Sequence, residues 1–340
     1  MKKYLYIALA AAALTSCSSD DTLDVVQGEE IAFNNGFIDN ASRAIDKSMT
    51  NTTLTSFNVY GTLKGSTTTL VSIFAHDEVT GTVGSTNIWN TTTKQYWIAD
   101  AIYNFAALVN VDKSNVTCTD GLPTSVSYTY DSSDEKDLLY ARSASDIKGK
   151  ASGNTAVPLT FDHMLSKVGF KVNNNNVAGT GYQYEVEDIK ITSNLADEGT
   201  VAIGQSNGTN TYSWAASGTL ANLTFGHAVA STEISESATA SRISDDNKVA
   251  YSLYERLLIP QTTSGKLTVS FTLKTYVTDA EGKVQHVNTE TINKSTAAAV
   301  TFEPKTYYLI NIGLSVGEAI TFSVEEAPEW GTANESVTVQ

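Results

Sequence analysis

The sequence predicts an all-β protein built from antiparallel β-sandwiches. Apolar residues recur with period two in almost every segment, as in Leu54-Thr55-Ser56-Phe57-Asn58-Val59. Such alternation sends successive side chains to opposite faces of a strand. Thr, Ser, Asn, Val and Tyr are abundant, and only 17% of the 340 residues are charged. That is the palette of β-structure joined by polar turns. Clusters of Gly, Asn, Asp and Ser bound the runs, and no sustained helical stripe interrupts them.

In the first half, strands are expected at Leu54 to Gly61, Leu70 to Phe74, Tyr103 to Asn110, Ser125 to Tyr130 and Asp137 to Ala141. In the second half they fall at Pro158 to Val172, Gln183 to Ser193, Gly199 to Ile203, Leu220 to Phe225 and Glu255 to Pro260. Lys266 to Thr278, Gln285 to Ile292 and Tyr307 to Ser315 complete the set. About fifteen short strands fit sandwiches, with one short helix or turn near Phe161 to Leu165. Gly149 to Thr155, small and polar, reads as a linker. The expected organisation is a leader over 1–17, a tether with a short strand over 18–43, and sandwiches over 44–152 and 153–340. In the tether, Ile31 and Phe33 are the strand residues.

The N-terminus is a lipoprotein leader. Lys2 and Lys3 precede an apolar run from Tyr4 to Leu14. That run is short of the about 20 residues a membrane span needs and suits a secretory signal. Leu14-Thr15-Ser16-Cys17 closes it as a lipobox, so Cys17 is the expected lipidation site. The following Ser18-Ser19-Asp20-Asp21 is similar to signals that send some lipoproteins of anaerobic Gram-negative bacteria to the outer face of the outer membrane.

The net charge of −15 argues against nucleic acid and anionic headgroups as partners. With Cys17 lipidated, Cys118 stands alone and no disulfide is available; it is expected as a small buried apolar residue. His76, His163, His227 and His286 are scattered, without metal-ligand spacing. His163, Ser166 and Lys167 lie close together, but no acid and no nucleophile elbow accompanies them. A core histidine hydrogen-bonded to backbone is expected instead. Asp131 to Asp137 spaces its carboxylates like a loose calcium loop yet lacks the central glycine, so a solvated turn is expected. Trp89, Tyr96 and Trp97 would stack on sugars if exposed; core packing is the simpler expectation. No catalytic residue, metal or cofactor is expected.

The run Asp137-Leu138-Leu139-Tyr140-Ala141, followed by Val157-Pro158-Leu159-Thr160-Phe161-Asp162-His163-Met164-Leu165, resembles the central signature of the fimbrillin family. Leu257-Leu258-Ile259-Pro260-Gln261, Tyr307 to Ile312, Ile320 to Val324, Trp330, and Tyr103 to Leu108 also match. The resemblance implies two transthyretin-like sandwiches in a subunit of the type V pilus, exported as a lipoprotein to the cell surface. It implies an arginine-specific protease that removes an N-terminal edge strand, here after Arg43 and before Ala44. A strand from another subunit then fills the groove. Ile320, Phe322 and Val324, or beyond them Val337 and Val339, are the donor candidates within 318–340. Of the other arginines, Arg242 sits in loop-like sequence, while Arg142 and Arg256 flank strand cores. Asp21-Thr22-Leu23 resembles the O-glycosylation sites of such bacteria. The implied partners are other fimbrial subunits and an unidentified surface ligand. Two other readings stand beside this one: a monomeric glycan-binding lipoprotein, and a fimbrial anchor that escapes processing.

Replacing Cys17 by Ala should leave an uncut or mislocalised precursor. Membrane fractionation and detergent partitioning check this; unchanged partitioning would refute lipidation at Cys17.

Overall fold

The computed structural model describes residues 28–35, 49, 53–65, 69–81, 88–230 and 234–327. Cys17, Arg43, Ala44, Val337 and Val339 lie outside these residues. The first-half strands are β1 (Phe33–Asn35), β2 (Ser56–Lys64), β3 (Leu70–Thr80), β4 (Ile88–Thr91), β5 (Ile102–Val109), β6 (Val116–Thr119), β7 (Leu122–Thr129), β8 (Leu139–Arg142) and β9 (Ile147–Lys148). Then come β10 (Val157–Leu159), β11 (Phe161–His163), β12 (Ser166–Asn174), β13 (Tyr182–Leu195), β14 (Glu198–Ser206), β15 (Thr209–Ser217), β16 (Leu220–Gly226) and β17 (Ala228–Val229). The last are β18 (Val249–Ser252), β19 (Arg256–Leu258), β20 (Gln261–Thr278), β21 (Val284–Phe302), β22 (Tyr307–Leu314) and β23 (Thr321–Glu326). The fold is all-β, as expected.

The first sheet runs β10-β1-β4-β3-β2-β5-β8-β11, with β9 beside β5. A second runs β17-β18-β12-β22-β23, with β19 also on β12, and a third runs β16-β13-β20-β21. A fourth, β15-β14-β7-β6, joins a hairpin of the first half to one of the second. Antiparallel pairing predominates, but β1 with β10 and β12 with β22 are parallel. Parallel neighbours need a long crossover, and in both cases more than a hundred residues intervene.

Two hydrophobic cores result, and the first sheet reaches past the 152/153 division. Val157, Leu159 and Phe161 pack with Ile31, Phe33, Phe57, Phe74 and Trp89 in the first core. In the other direction, Leu122 and Val126 of β7 join the second core with Phe170, Ile191, Phe271 and Ile310. The segment expected to turn near Phe161 to Leu165 begins as strand β11. Phe161 and His163 pair with Ala141 and Leu139, and the burial of both side chains requires the extended period. The presumed linker is tied down as well: Gly149 N–H donates to Ala101 O (2.8 Å), and Asp100 N–H donates to Gly149 O (2.9 Å).

Cys118 differs from expectation. It is exposed, because β6 is the outermost strand of the fourth sheet and turns its side chains towards solvent. Phe33 is the opposite case, a fully buried ring with edge-on neighbours Phe57, Phe74 and Phe105. Phe33→Ala in the uncut protein should therefore cost about 3 kcal/mol or more. Cys118→Ser should stay within about 0.5 kcal/mol. Denaturant unfolding followed by circular dichroism checks both; equal losses would refute the assignment of these two environments.

Candidate functional site: the N-terminal strand and its groove

Residues 28–35 lie in a slot between two other strands. On one side Trp97 N–H donates to Glu29 O (2.9 Å) and Ile31 N–H to Gln95 O (2.8 Å). On the other, Val157 N–H donates to Ala32 O (2.8 Å). Within β1, Phe33 is in register with Trp89 of β4 and Val157 of β10. The strand is thus interior to its sheet and not an edge strand, because β10 returns alongside it. Its removal would open two rows of backbone groups instead of one.

The floor of the slot is aromatic. Ile31 and Phe33 are both 0% exposed. The Phe33 ring lies 5.5 Å from Phe105, 5.9 Å from Phe74 and 6.2 Å from Phe57, all in edge-to-face contact, a favoured geometry for aromatic pairs. Gly61 makes room for this cluster: a Cβ there would come within 2.8 Å of Phe74 and 2.9 Å of Phe105.

Glu29 closes the end of the slot. Its Oε1 accepts from Gly153 N–H at 2.7 Å. Its Oε2 accepts from Asn154 N–H at 2.6 Å and from Asn154 Nδ2 at 2.7 Å. Gly153 has φ +73°, the left-handed conformation that turns two successive N–H groups to one side. The Asn154 amide is itself positioned by Lys150, accepting from its N–H and donating to its carbonyl, both at 2.9 Å. The N–H groups of Asn154 and then Gly153 hold the Glu29 carboxyl below its ordinary range. Nothing in the local sequence announces this clasp, since its halves lie 124 and 125 residues apart.

The donor candidates Ile320, Phe322 and Val324 are half-buried against the second core. Among the described residues, β23, which carries Phe322 and Val324, is the last strand of its sheet and pairs with β22 alone. Arg142 lies within β8. Arg256 on β19 donates from Nη1 to Glu135 Oε2 (3.0 Å) and from Nε to Thr224 O (2.8 Å). Arg242 is exposed, yet its neighbour Ile243 is fully buried and exchanges two backbone hydrogen bonds with Tyr184.

Other expectations resolve as follows. His163 does have an acid: its Nδ1 lies 2.7 Å from Asp137 Oδ2, which also accepts from Met49 N–H at 2.8 Å. The partner was missed because it comes from β8's approach, 26 residues earlier. Ser166 Oγ donates to Glu303 O (2.7 Å), away from any catalytic pairing with His163. Asp131 to Asp137 is a solvated turn only at its start, where Asp131 accepts from Ser133. Glu135 is buried with Arg256 and Tyr130, and burial pushes its carboxyl up. Among the described residues, no group of three or more His, Cys, Asp or Glu is arranged to hold a metal. Trp89 and Trp97 are core residues, 1% and 7% exposed.

A family model described as fimbrillin-like matches residues 42–328, and the chain belongs to that family. A model of the prokaryotic membrane lipoprotein lipid attachment site matches residues 1–18. None of the curated proteins matches. Similar solved structures include a candidate cell adhesion protein from Bacteroides ovatus, 12% identical, covering 90% of this chain and 99% of its own, with a TM-score of 0.48. A fimbrial assembly protein from Parabacteroides distasonis is 12% identical over 88% of this chain and 100% of its own (TM-score 0.41). The fimbrial anchor protein Mfa2 from Porphyromonas gingivalis is 11% identical over 87% and 96% (TM-score 0.31).

The depressed Glu29 carboxyl gives the clasp a pH dependence of defined sign. A group whose folded pKa is lowered contributes stability above its unfolded value, near 4.5, and loses it as pH falls through the folded value. Hydrogen exchange of amides in 28–35 should therefore accelerate on acidification below that range, relative to global exchange. Glu29→Gln should be faster already at neutral pH and lack this acid-dependent step. Identical profiles for the two proteins would refute the clasp.

Proposed function

We propose that the chain is a structural or accessory fimbrial subunit, exported as a surface lipoprotein and assembled by protease-triggered strand exchange. One observation carries the reading. A short N-terminal strand supplies the fully buried Ile31 and Phe33 to a core built otherwise from residues 54–161, and Arg43 follows it by eight residues in sequence. Cleavage there by an arginine-specific protease cuts the only covalent tie between that strand and the rest of the core. The vacated slot would present aromatic side chains and two unpaired backbone rows, a template for β-augmentation by a strand with apolar residues at alternate positions. The C-terminal region of another subunit offers such alternation at Ile320, Phe322 and Val324, and at Val337 and Val339. In this reading the lipid on Cys17 holds the precursor at the outer membrane until processing frees the subunit. The fibre serves adhesion, and the family's structural role leaves catalysis no part.

A second reading is an unprocessed fimbrial anchor. The Glu29 clasp and the pairing on both flanks favour it, since they retain the strand even where the backbone is nicked. The glycan-binding monomer loses its sugar platform because Trp89 and Trp97 are buried.

Soluble protein starting at Ser18, treated with an arginine-specific protease, should be cut after Arg43 and then form fibres visible by negative-stain microscopy. Arg43→Ala should remain a folded monomer. Trimmed wild type that stays monomeric would move the protein to the anchor reading.

A further inference from the structure

The Gly153–Asn154 turn is a carboxylate receptor whose present occupant belongs to the segment that strand exchange would remove. We propose that this turn binds Glu318 of a second copy of this chain and so fixes the register of the incoming strand. The inference rests on the strand-exchange reading above.

The argument begins with spacing. Glu29 in the receptor stands two residues before Ile31 and four before Phe33, and both apolar side chains point into the core. The order Glu-x-Ile-x-Phe occurs twice in the sequence, at Glu29 to Phe33 and at Glu318-Ala319-Ile320-Thr321-Phe322. An incoming strand running in the direction of β1, with Ile320 and Phe322 in the seats of Ile31 and Phe33, sets Glu318 against the N–H groups of Gly153 and Asn154. The side chain of Glu30, in the outward position between, pairs with the exposed Lys94. Such surface pairs contribute little, so Ala319 is acceptable in its place.

Looser matches, with Glu followed at the second and fourth positions by Val, Leu or Ile, occur at Glu187 to Ile191, Glu255 to Ile259 and Glu335 to Val339. The first two are excluded by burial, because Ile189, Ile191, Leu257 and Ile259 are at most 1% exposed within the second core. The third would place Val339 where Phe33 meets three aromatic rings. A valine there leaves a cavity, and a phenylalanine does not. Among the described residues β23 pairs on one side only, and Ile320, Phe322 and Val324 are half-buried where they are. In the groove the first two would be fully buried. A register marker has a use here, since a slip of one residue would turn both apolar side chains outward.

The experiment uses protein starting at Ser18, nicked after Arg43, and a fluorescent peptide of residues 316–326. Anisotropy measures its capture. Nicked protein should take up the peptide, and Glu318→Gln in the peptide should weaken capture by about threefold, the order expected for losing a solvent-exposed charged contact. Asn154→Ala in the recipient should lower wild-type capture to the level of the Gln peptide, with no further loss when both changes are combined. A peptide of residues 28–35 reports whether the variant groove is intact. Equal capture of the Glu and Gln peptides would overturn the receptor role while leaving strand exchange standing. Stronger capture of a peptide of residues 333–340 would overturn the assignment to Glu318. If no peptide entered, the residue 28–35 control included, the strand-exchange reading would fail and this inference with it.

Discussion

β5 and β8 are buried on both faces, and the rest of the molecule is organised by that constraint. Along β5, Tyr103, Phe105, Ala107 and Val109 face the first core, while Ala106 and Leu108 face the second. Leu139 and Ala141 of β8 alternate with Tyr140 in the same manner. A strand with apolar side chains on both faces cannot be covered by a single sheet. The first core covers one face, and the β6–β7 hairpin with the second-half strands covers the other. This is why β7 pairs with β14 across the middle of the chain, and why the two cores do not part at the small, polar segment in the middle of the sequence.

Ionic and polar side chains then tie distant strands together, two of the contacts across the halves. Arg256 and Glu135 meet at 3.0 Å with the carboxylate buried, and His163 meets Asp137 at 2.7 Å. Lys167, fully buried on β12, lies 3.3 Å from Glu255 and 4.6 Å from the ring of Tyr307, whose hydroxyl donates to the same carboxylate at 2.6 Å. Buried ion pairs are weak sources of net stability, but removing one partner is costly. Here the contacts join segments that are distant in sequence.

Alternation made the all-β class legible and marked Ile31 and Phe33 as strand residues, because burial of one face leaves a period-two trace in the sequence. What it could not supply was neighbours. The run at Glu30 to Phe33 reads the same at an edge or between two strands; only the return of β10 decides. Glu29 carries no apolar signal and finds its receptor across a long separation. Asp137 and Glu135 look like the solvated turn their neighbours form. Cys118 was misjudged because cysteine's usual burial is a statistical habit, while exposure on an outermost strand follows from topology. Phe161 to His163 lies inside the strand run expected at Pro158 to Val172, yet three residues carry too little period to separate strand from turn there.

Phe33 pairs with Val157, and Phe161 closes against Phe57 in the same core. The first core therefore cannot be completed until about half of the chain is present. Contacts so distant in sequence require closing a large loop before they return any stabilisation, which slows folding. A chain secreted through a membrane from its N-terminus would cross with that core still open. The aromatic seat of Phe33 would stay incomplete until about half of the chain had crossed, and its apolar surface would be exposed, for a time, in every newly made copy.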